Sequence, residues 1–295
     1  MHVNDLIIFQ SVAEHGSFTK AAAATNTVQS NVTARIKSLE TEFNTRLFER
    51  TSRTITLTEA GTELLKTAKE ILLLLDNTKR TIAGTDQPLK GMIKIGCIHT
   101  TAALRVPGIL QAFSEDYPEV EFKIKTGTTS GLIKEVLSCQ LDGAFVAGNI
   151  TDERLTVQPI LSEELGIVTS TLVSSYEQLV HSKKKLKLIV FSDGCSYRKH
   201  FERIITDWEV NKVSLIEMDT LEGILNAVES NIGITLLPIA LIQRHYQYKG
   251  LKIFPLPAGL SSMTTVFVKR NDSAMSNAYQ KFFELVGSGY KSILT

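Results

Sequence analysis

The stretch "TVQSNVTARIKSLE", residues 27–40, decides how the first part of this chain is read. Wound as a helix of about 100° per residue, it gathers Val28, Val32, Ile36 and Leu39 within roughly 80°, a stripe suited to a core. The next roughly 100° holds Gln29, Ser30, Thr33 and Lys37, all hydrogen-bond donors, with no carboxylate among them. Glu40 comes only at the far end. Taken alone, such a stripe is an ordinary solvated face, so its neighbours must decide what it is for.

Upstream, a helix from about Asn4 aligns Leu6, Phe9, Val12 and Ala13 and stops at Gly16. Ser17 can cap the next helix, "FTKAAAATN", whose alanines allow a close helix crossing. A short turn around Asn26 and Thr27 leads into the opening stretch. An alanine-rich helix, a tight turn and a second helix outline a helix-turn-helix. Downstream, "RLFERTSRTITLTEAG" (46–61) places Arg46, Arg50 and Arg53 around the alternating run "TITLT", the pattern of a small wing. Residues 35–53 hold five cations (Arg35, Lys37, Arg46, Arg50, Arg53) against three anions (Glu40, Glu42, Glu49). Such cations would contact phosphates and make binding salt-sensitive, while Gln29 can pair in two places with adenine. Thr19, Gln29, Ser30, Asn31, Thr33, Arg35, Lys37, Arg50 and Arg53 are the candidate DNA-binding residues.

A long helix starts after Thr58. Leu64, Ala68, Ile71, Leu75, Thr78 and Ile82 recur at spacings of four and three, a heptad seam that favours pairing between chains. Packing on the helix's own domain is the competing reading. Of these, Leu64, Ala68, Ile71 and Leu75 are the candidate dimerisation residues. "GTDQPLKG" (84–91) reads as a linker. Beyond it strands and helices alternate to about Tyr290, which predicts an α/β region with mainly parallel sheets and room for two subdomains. Within it "TAALRVPGILQAFSEDYP" reads as one helix. The expected divisions are a winged helix-turn-helix over 1–58, a linker helix and hinge over 59–90, and an effector-binding domain over 91–295. Subdomain I would take about 91–160 and 266–295, and subdomain II about 161–265.

Composition narrows the class. The 295 residues carry a formal net charge of +1, so whole-chain charge decides nothing about nucleic acid. Cys97, Cys139 and Cys195 are far apart and lack metal-ligand spacing, as in a reducing compartment. The N-terminus lacks the features of a secretion signal, and "ILLLL" (71–75) is far too short to span a bilayer. These features point to a cytoplasmic protein. A P-loop, a G-x-G-x-x-G after a strand and a G-x-S-x-G elbow are all missing, which argues against an enzyme.

Residues 1–61 resemble the DNA-binding domain of bacterial LysR-type transcriptional regulators, through "FQSVAEHGSFTKAAAA", "VQSNVTARIKSLETEF" and "RLFERTSRTITLTEAG". The remainder is similar to that family's effector domain, with "GMIKIG", "ILQAFSEDYPEVEF", "LDGAFVAG" and "VESNIGITLLP" as signposts. The resemblance implies a winged helix-turn-helix with a long linker helix, followed by two Rossmann-like subdomains shaped like a periplasmic solute-binding protein. It places Gln29, Ser30, Thr33 and Arg35 on the recognition helix and Arg53 on the wing. Ser30 stands where many members have proline and Ala34 where many have arginine, so the operator sequence does not carry over.

In such a fold a ligand sits between the subdomains, against helix starts and strand ends. The candidate effector-binding residues are His99, Thr100, Thr101, Thr128, Thr129, Gly148, Cys195, Ser196 and Arg198. Hydroxyls and free N–H groups at helix starts favour a small anion. Thr100, Thr128 and Ser130 could equally be helix caps, and Arg198 a surface cation. A redox role for Cys195 would need a second thiol, which the sequence does not identify. The expected protein is a transcriptional regulator without a resident cofactor or metal, modulated by a small-molecule co-inducer. Its expected partners are double-stranded operator or promoter DNA, a second copy of itself as homodimer or homotetramer, RNA polymerase, and no membrane. The competing reading is a cytosolic solute-binding-like sensor that does not read DNA.

Overall fold

The computed structural model describes residues 1–50, 54–83, 89–180, 186–208, 213–273 and 275–287. Three helices, α1 (Val3–His15), α2 (Phe18–Ala24) and α3 (Gln29–Glu42), build the N-terminal head. Gly16 ends α1 in the left-handed conformation at φ 57°, and the Ser17 side chain accepts from Lys20 N to start α2. Leu6, Phe9, Val12, Ala21, Val32, Ile36 and Leu39 are buried together, with the Phe9 and Phe48 rings 5.2 Å apart. Val28 departs from the expected stripe. It is the extended N-cap residue of α3, one step before the helix begins, and is 64% exposed.

Two short antiparallel strands, β1 (Phe48–Arg50) and β2 (Ile55–Leu57), form the wing. Glu40, at the end of α3, accepts the backbone N–H groups of Leu47 (3.0 Å) and Phe48 (3.4 Å) and so fixes where the wing leaves the helix. Arg53 lies outside the described residues.

The linker helix α4 (Glu59–Ala83) is capped by Thr58, whose Oγ1 accepts from Gly61 N at 2.9 Å. Ala68 corrects the proposed seam. With Leu65 it is fully buried in the head's own core, and Leu64 and Ile71 pack partly against the same cluster. A period of three and four cannot say whether the partner is the same chain or another. Leu74 and Leu75 do face outward, at 69% and 36% exposure.

The second region runs β3 (Gly91–Cys97), α5 (His99–Leu104), α6 (Val106–Asp116), β4 (Val120–Thr126), α7 (Thr129–Leu137), β5 (Gly143–Ala147) and β6 (Leu155–Ser170). It continues with α8 (Tyr176–Val180), β7 (Leu186–Val190), α9 (Ser196–Asp207), β8 (Val213–Glu217), α10 (Leu221–Glu229), β9 (Thr235–Pro238) and α11 (Ile239–His245). β10 (Leu251–Pro255), β11 (Ser262–Arg270) and α12 (Asn277–Gly287) complete it. The helix expected over 101–118 is two helices, broken at Arg105 with φ −123° and ψ −44°. Pro107 lacks an N–H and is tolerated only in a first turn, so the chain restarts the helix there.

The expected mainly parallel sheet is mixed. β3 pairs parallel with β4 and β5, and β7 with β8, whereas β11–β5, β11–β6, β10–β6 and β9–β6 are antiparallel. The cause is the 16-residue β6, whose residues 155–164 pair with β11 and whose residues 165–170 pair with β9 and β10. It runs straight through the boundary between the two halves. Across the step from Thr265 to Val266 of β11 the pairing skips Ile160 of β6, next to Pro159, which has no ladder donor to offer.

Head and effector region touch through charge. Lys94 meets Glu14 at 2.5 Å, Lys66 meets Asp272 at 2.5 Å, and Lys69 donates to the Cys139 carbonyl. Burial would raise the Glu14 carboxyl, but the Lys94 hydrogen bond and charge, with Gln10 and Lys69, hold it below the usual carboxylate value.

Candidate functional site

On α3 the two stripes separate as chemistry requires. Val32, Ile36 and Leu39 are buried, while Gln29, Ser30, Ala34, Arg35 and Lys37 are exposed. Gln29 opens the helix, and its Oε1 accepts from Thr19 Oγ1 at 3.1 Å. That bond engages the amide oxygen of a side chain that is otherwise exposed. Several nominated neighbours are engaged internally. Asn31 Nδ2 donates to Thr27 Oγ1 at 2.8 Å and holds the turn, and Thr33 Oγ1 donates to Gln29 O at 3.0 Å. Arg35 turns back onto the buried Asp5 at 3.1 Å. On the wing Arg50 stands 4.6 Å over the Phe18 ring and 3.4 Å from Glu40. Gln29, Ser30 and Lys37 are thus exposed on α3, and Arg50 stands on the wing near the end of that helix.

The second site lies between the halves of the effector region. Ser130 N donates to Gly194 O at 3.2 Å, Ser196 Oγ donates to Thr129 Oγ1 at 3.0 Å, and Thr100 Oγ1 donates to Tyr197 OH at 3.5 Å. The His99 and Phe191 rings stack 4.8 Å apart, 6° from parallel. Beneath these contacts Arg105 grips Glu163 of β6 through two 3.1 Å hydrogen bonds, both residues buried. Ile98, His99, Thr100, Gly127, Thr128, Phe191, Cys195 and Tyr197 enclose about 10 Å³, scarcely room for one water.

His99, Thr100, Thr128, Thr129, Cys195 and Ser196 thus come together, and Gly148 faces Ser196 from the neighbouring loop. Thr128 also caps α7, accepting from Gly131 N. Two nominated residues stand apart. Thr101 is buried within α5, and Arg198 is held by Glu202 at 2.9 Å and Glu217 at 2.8 Å. Burial lowers the His99 ring against the pull of Asp219, favouring the neutral stacked form. Burial likewise pushes the Cys195 thiol up, opposed by the N–H groups of Arg198 and Tyr197 and the Arg198 charge, which disfavours a reactive thiolate. All three cysteines are free and buried. The loop Cys195-Ser196-Tyr197-Arg198 was read from the sequence as facing the cleft, without a role for Tyr197, whereas Phe191 and the Arg105–Glu163 pair were missed.

Two family models cover nearly the whole chain: "Bacterial regulatory helix-turn-helix protein, lysR family" over residues 3–62 and "LysR substrate binding domain" over residues 86–290. The HTH-type transcriptional regulator YusT of Bacillus subtilis is 38% identical over 284 residues, spanning 96% of this chain and 95% of that protein. The HTH-type transcriptional regulator SoxR of Arthrobacter sp. is 37% identical over 287 residues, 97% and 96% of the two chains. Among solved structures, full-length OxyR from Pseudomonas aeruginosa matches with TM-score 0.74 at 19% identity, covering 98% of this chain and 94% of that one. CbnR in complex with its target DNA matches with TM-score 0.61 at 17% identity, covering 97% and 99%. The solved structures support the fold alone.

Proposed function

Because the chain belongs to the LysR family of DNA-binding transcriptional regulators with an effector-binding domain, we propose that Gln29, Ser30 and Lys37 enter the major groove while Arg50 holds the flanking phosphates. The observation that carries this reading is the exposed Gln29 side chain, held by Thr19 at the first turn of α3. Recognition helices read base edges from that turn. Asn31, Thr33 and Arg35 support the surface from behind, and Arg53 completes the wing. The head would take 1–58, the linker helix and hinge 59–90, and the effector domain 91–295.

The effector is a small, anionic co-inducer held between the two halves at His99, Thr100, Thr128, Thr129 and Ser196. It acts by changing how strongly the two halves adhere, and so biases two assemblies of the heads. Self-association is supported by the outward Leu74 and Leu75 on α4 and by Ile124, Val213 and Leu215, exposed on the edge strands β4 and β8. Two-fold pairing would give the heads two half-sites, and a tetramer would follow from using both surfaces. The setting is the cytoplasm, on promoter DNA, with RNA polymerase as a further contact. Among the described residues no helix is long and apolar enough to cross a membrane.

A duplex selected from a random pool by the full-length protein tests the groove assignment. Gln29→Ala should weaken the selected site roughly 10- to 100-fold and leave generic duplex unchanged, as loss of one bidentate base contact requires. Arg50→Ala should weaken both and lower the log–log salt slope by about one. A Gln29→Ala protein that binds the selected duplex like the parent, in fluorescence anisotropy, would remove α3 from the groove.

A further inference from the structure

Helix α9 has two faces. Tyr197, Phe201, Ile204 and Ile205 point into the core, each 4% exposed or less. Ser196, Lys199, His200 and Arg203, at spacings of three, one and three, form the opposite stripe and line a cavity of about 860 Å³. Its other walls are the loop at Gly148–Ile150, Val157 and Pro159 of β6, and residues 262–264 and Val266 of β11. The volume lies in the range of metabolite sites, whereas the enclosed space at Cys195 holds scarcely a water.

The charge of the cavity is one-sided. Four nitrogen-bearing side chains, Asn149, Lys199, His200 and Arg203, line it with the hydroxyls of Ser196, Ser262 and Thr264, and no carboxylate is among the lining residues. Its arginine is held in place. His200 Nε2 lies 2.7 Å from Leu260 O and Nδ1 lies 2.9 Å from Arg203 Nη2. The buried His200 ring bridges the Leu260 carbonyl and the guanidinium, and so orients Arg203. Among the described residues the rest of the Arg203 fork is left for a ligand, one helical turn from the Lys199 ammonium.

We propose that this cavity is a second ligand site, separate from the space around His99 and Cys195, for a metabolite carrying two or more negative charges. Arg203 would grip one carboxylate or phosphoryl group in its fork, Lys199 would neutralise the second, and Ser196 and Ser262 would take hydroxyls. The occupant would lie against β6 and β11, the strands shared by both halves. The site uses different side chains from the effector reading above, Ser196 excepted, and stands or falls independently of it.

Calorimetric titration of the full-length protein with citrate, with inorganic phosphate and with neutral glycerol tests this. Citrate should bind with measurable heat, phosphate more weakly and glycerol not at all. Arg203→Ala and Lys199→Ala, both at exposed positions, should each weaken citrate roughly tenfold or more, the loss expected for one charged hydrogen-bonding partner. Thr128→Val, in the other site, should leave citrate affinity within about twofold. The proposal is overturned if neither anion binds at up to ~10 mM, a concentration that would detect even a very weak site. It is overturned equally if both cation variants bind citrate like the parent, or if Thr128→Val abolishes binding that Arg203→Ala retains.

Discussion

Arg105→Met should lower the unfolding free energy of the effector region by about 3–5 kcal/mol, the cost of leaving one member of a buried ion pair without its partner. Glu163 is 4% exposed and takes both of its 3.1 Å hydrogen bonds from Arg105. Methionine fills much of the space but neutralises nothing, so the carboxylate would be buried without its counter-charge. Chemical denaturation followed by the fluorescence of Trp208, which lies in this region, measures the loss. The double variant Arg105→Met, Glu163→Leu separates charge from packing. Replacing both ions by apolar groups of similar size is often neutral or stabilising, so the pair of changes should recover most of the stability. If the double variant is as unstable as Arg105→Met alone, the pair matters through shape rather than charge.

Gly61→Ala should be nearly as damaging to the head. A Cβ at residue 61 would stand 2.0 Å from the Leu47 carbonyl oxygen and 3.0 Å from its carbon and from Leu57 Cδ2. The obstacle is backbone, and the same carbonyl already accepts from Thr58 N at 3.1 Å. The helix must therefore lift off the wing, losing that bond and part of the packing of Leu65. A cost of about 3 kcal/mol is the upper end of ordinary overpacking, and rigid backbone places the site there. Circular dichroism melts should show an earlier transition in the helical head. DNA affinity in the anisotropy assay should fall with it, because Arg50 loses its fixed position. An unchanged melt would mean that α4 crosses the wing at greater distance.

The head was legible because its signals are local. Gly16, Ser17 and Thr58 punctuate helices by their own backbone chemistry, and the stripe of Val32, Ile36 and Leu39 follows from helical period alone. Val28 was misread because period says nothing about the residue on which a helix starts. Period is likewise silent on the partner of the seam along α4, since Ala68 satisfies the heptad yet belongs to the head's core. In the effector region the loops that meet were found from strand ends and helix starts. The mixed sheet was not, because β6 contains Pro159 and polar residues that mask its continuity, and antiparallel pairing with β11 joins segments about a hundred residues apart. The stripe of Lys199 and Arg203 became meaningful only once the opposite face of α9 was seen to be core.

β6 spans roughly 50 Å at about 3.3 Å per residue, and both halves are stitched to it by backbone hydrogen bonds. Two bodies sharing one such rod cannot part by sliding. Their cheap relative motion is torsion about its axis, since twist redistributes along a strand while the ladders on either side survive. The ladder is interrupted at Ile160, beside Pro159 and across from the step between Thr265 and Val266, and this is where such twist concentrates. Mechanical compliance is thus concentrated in one short length of chain, and a small occupant on either flank would be felt across the domain as a rotation.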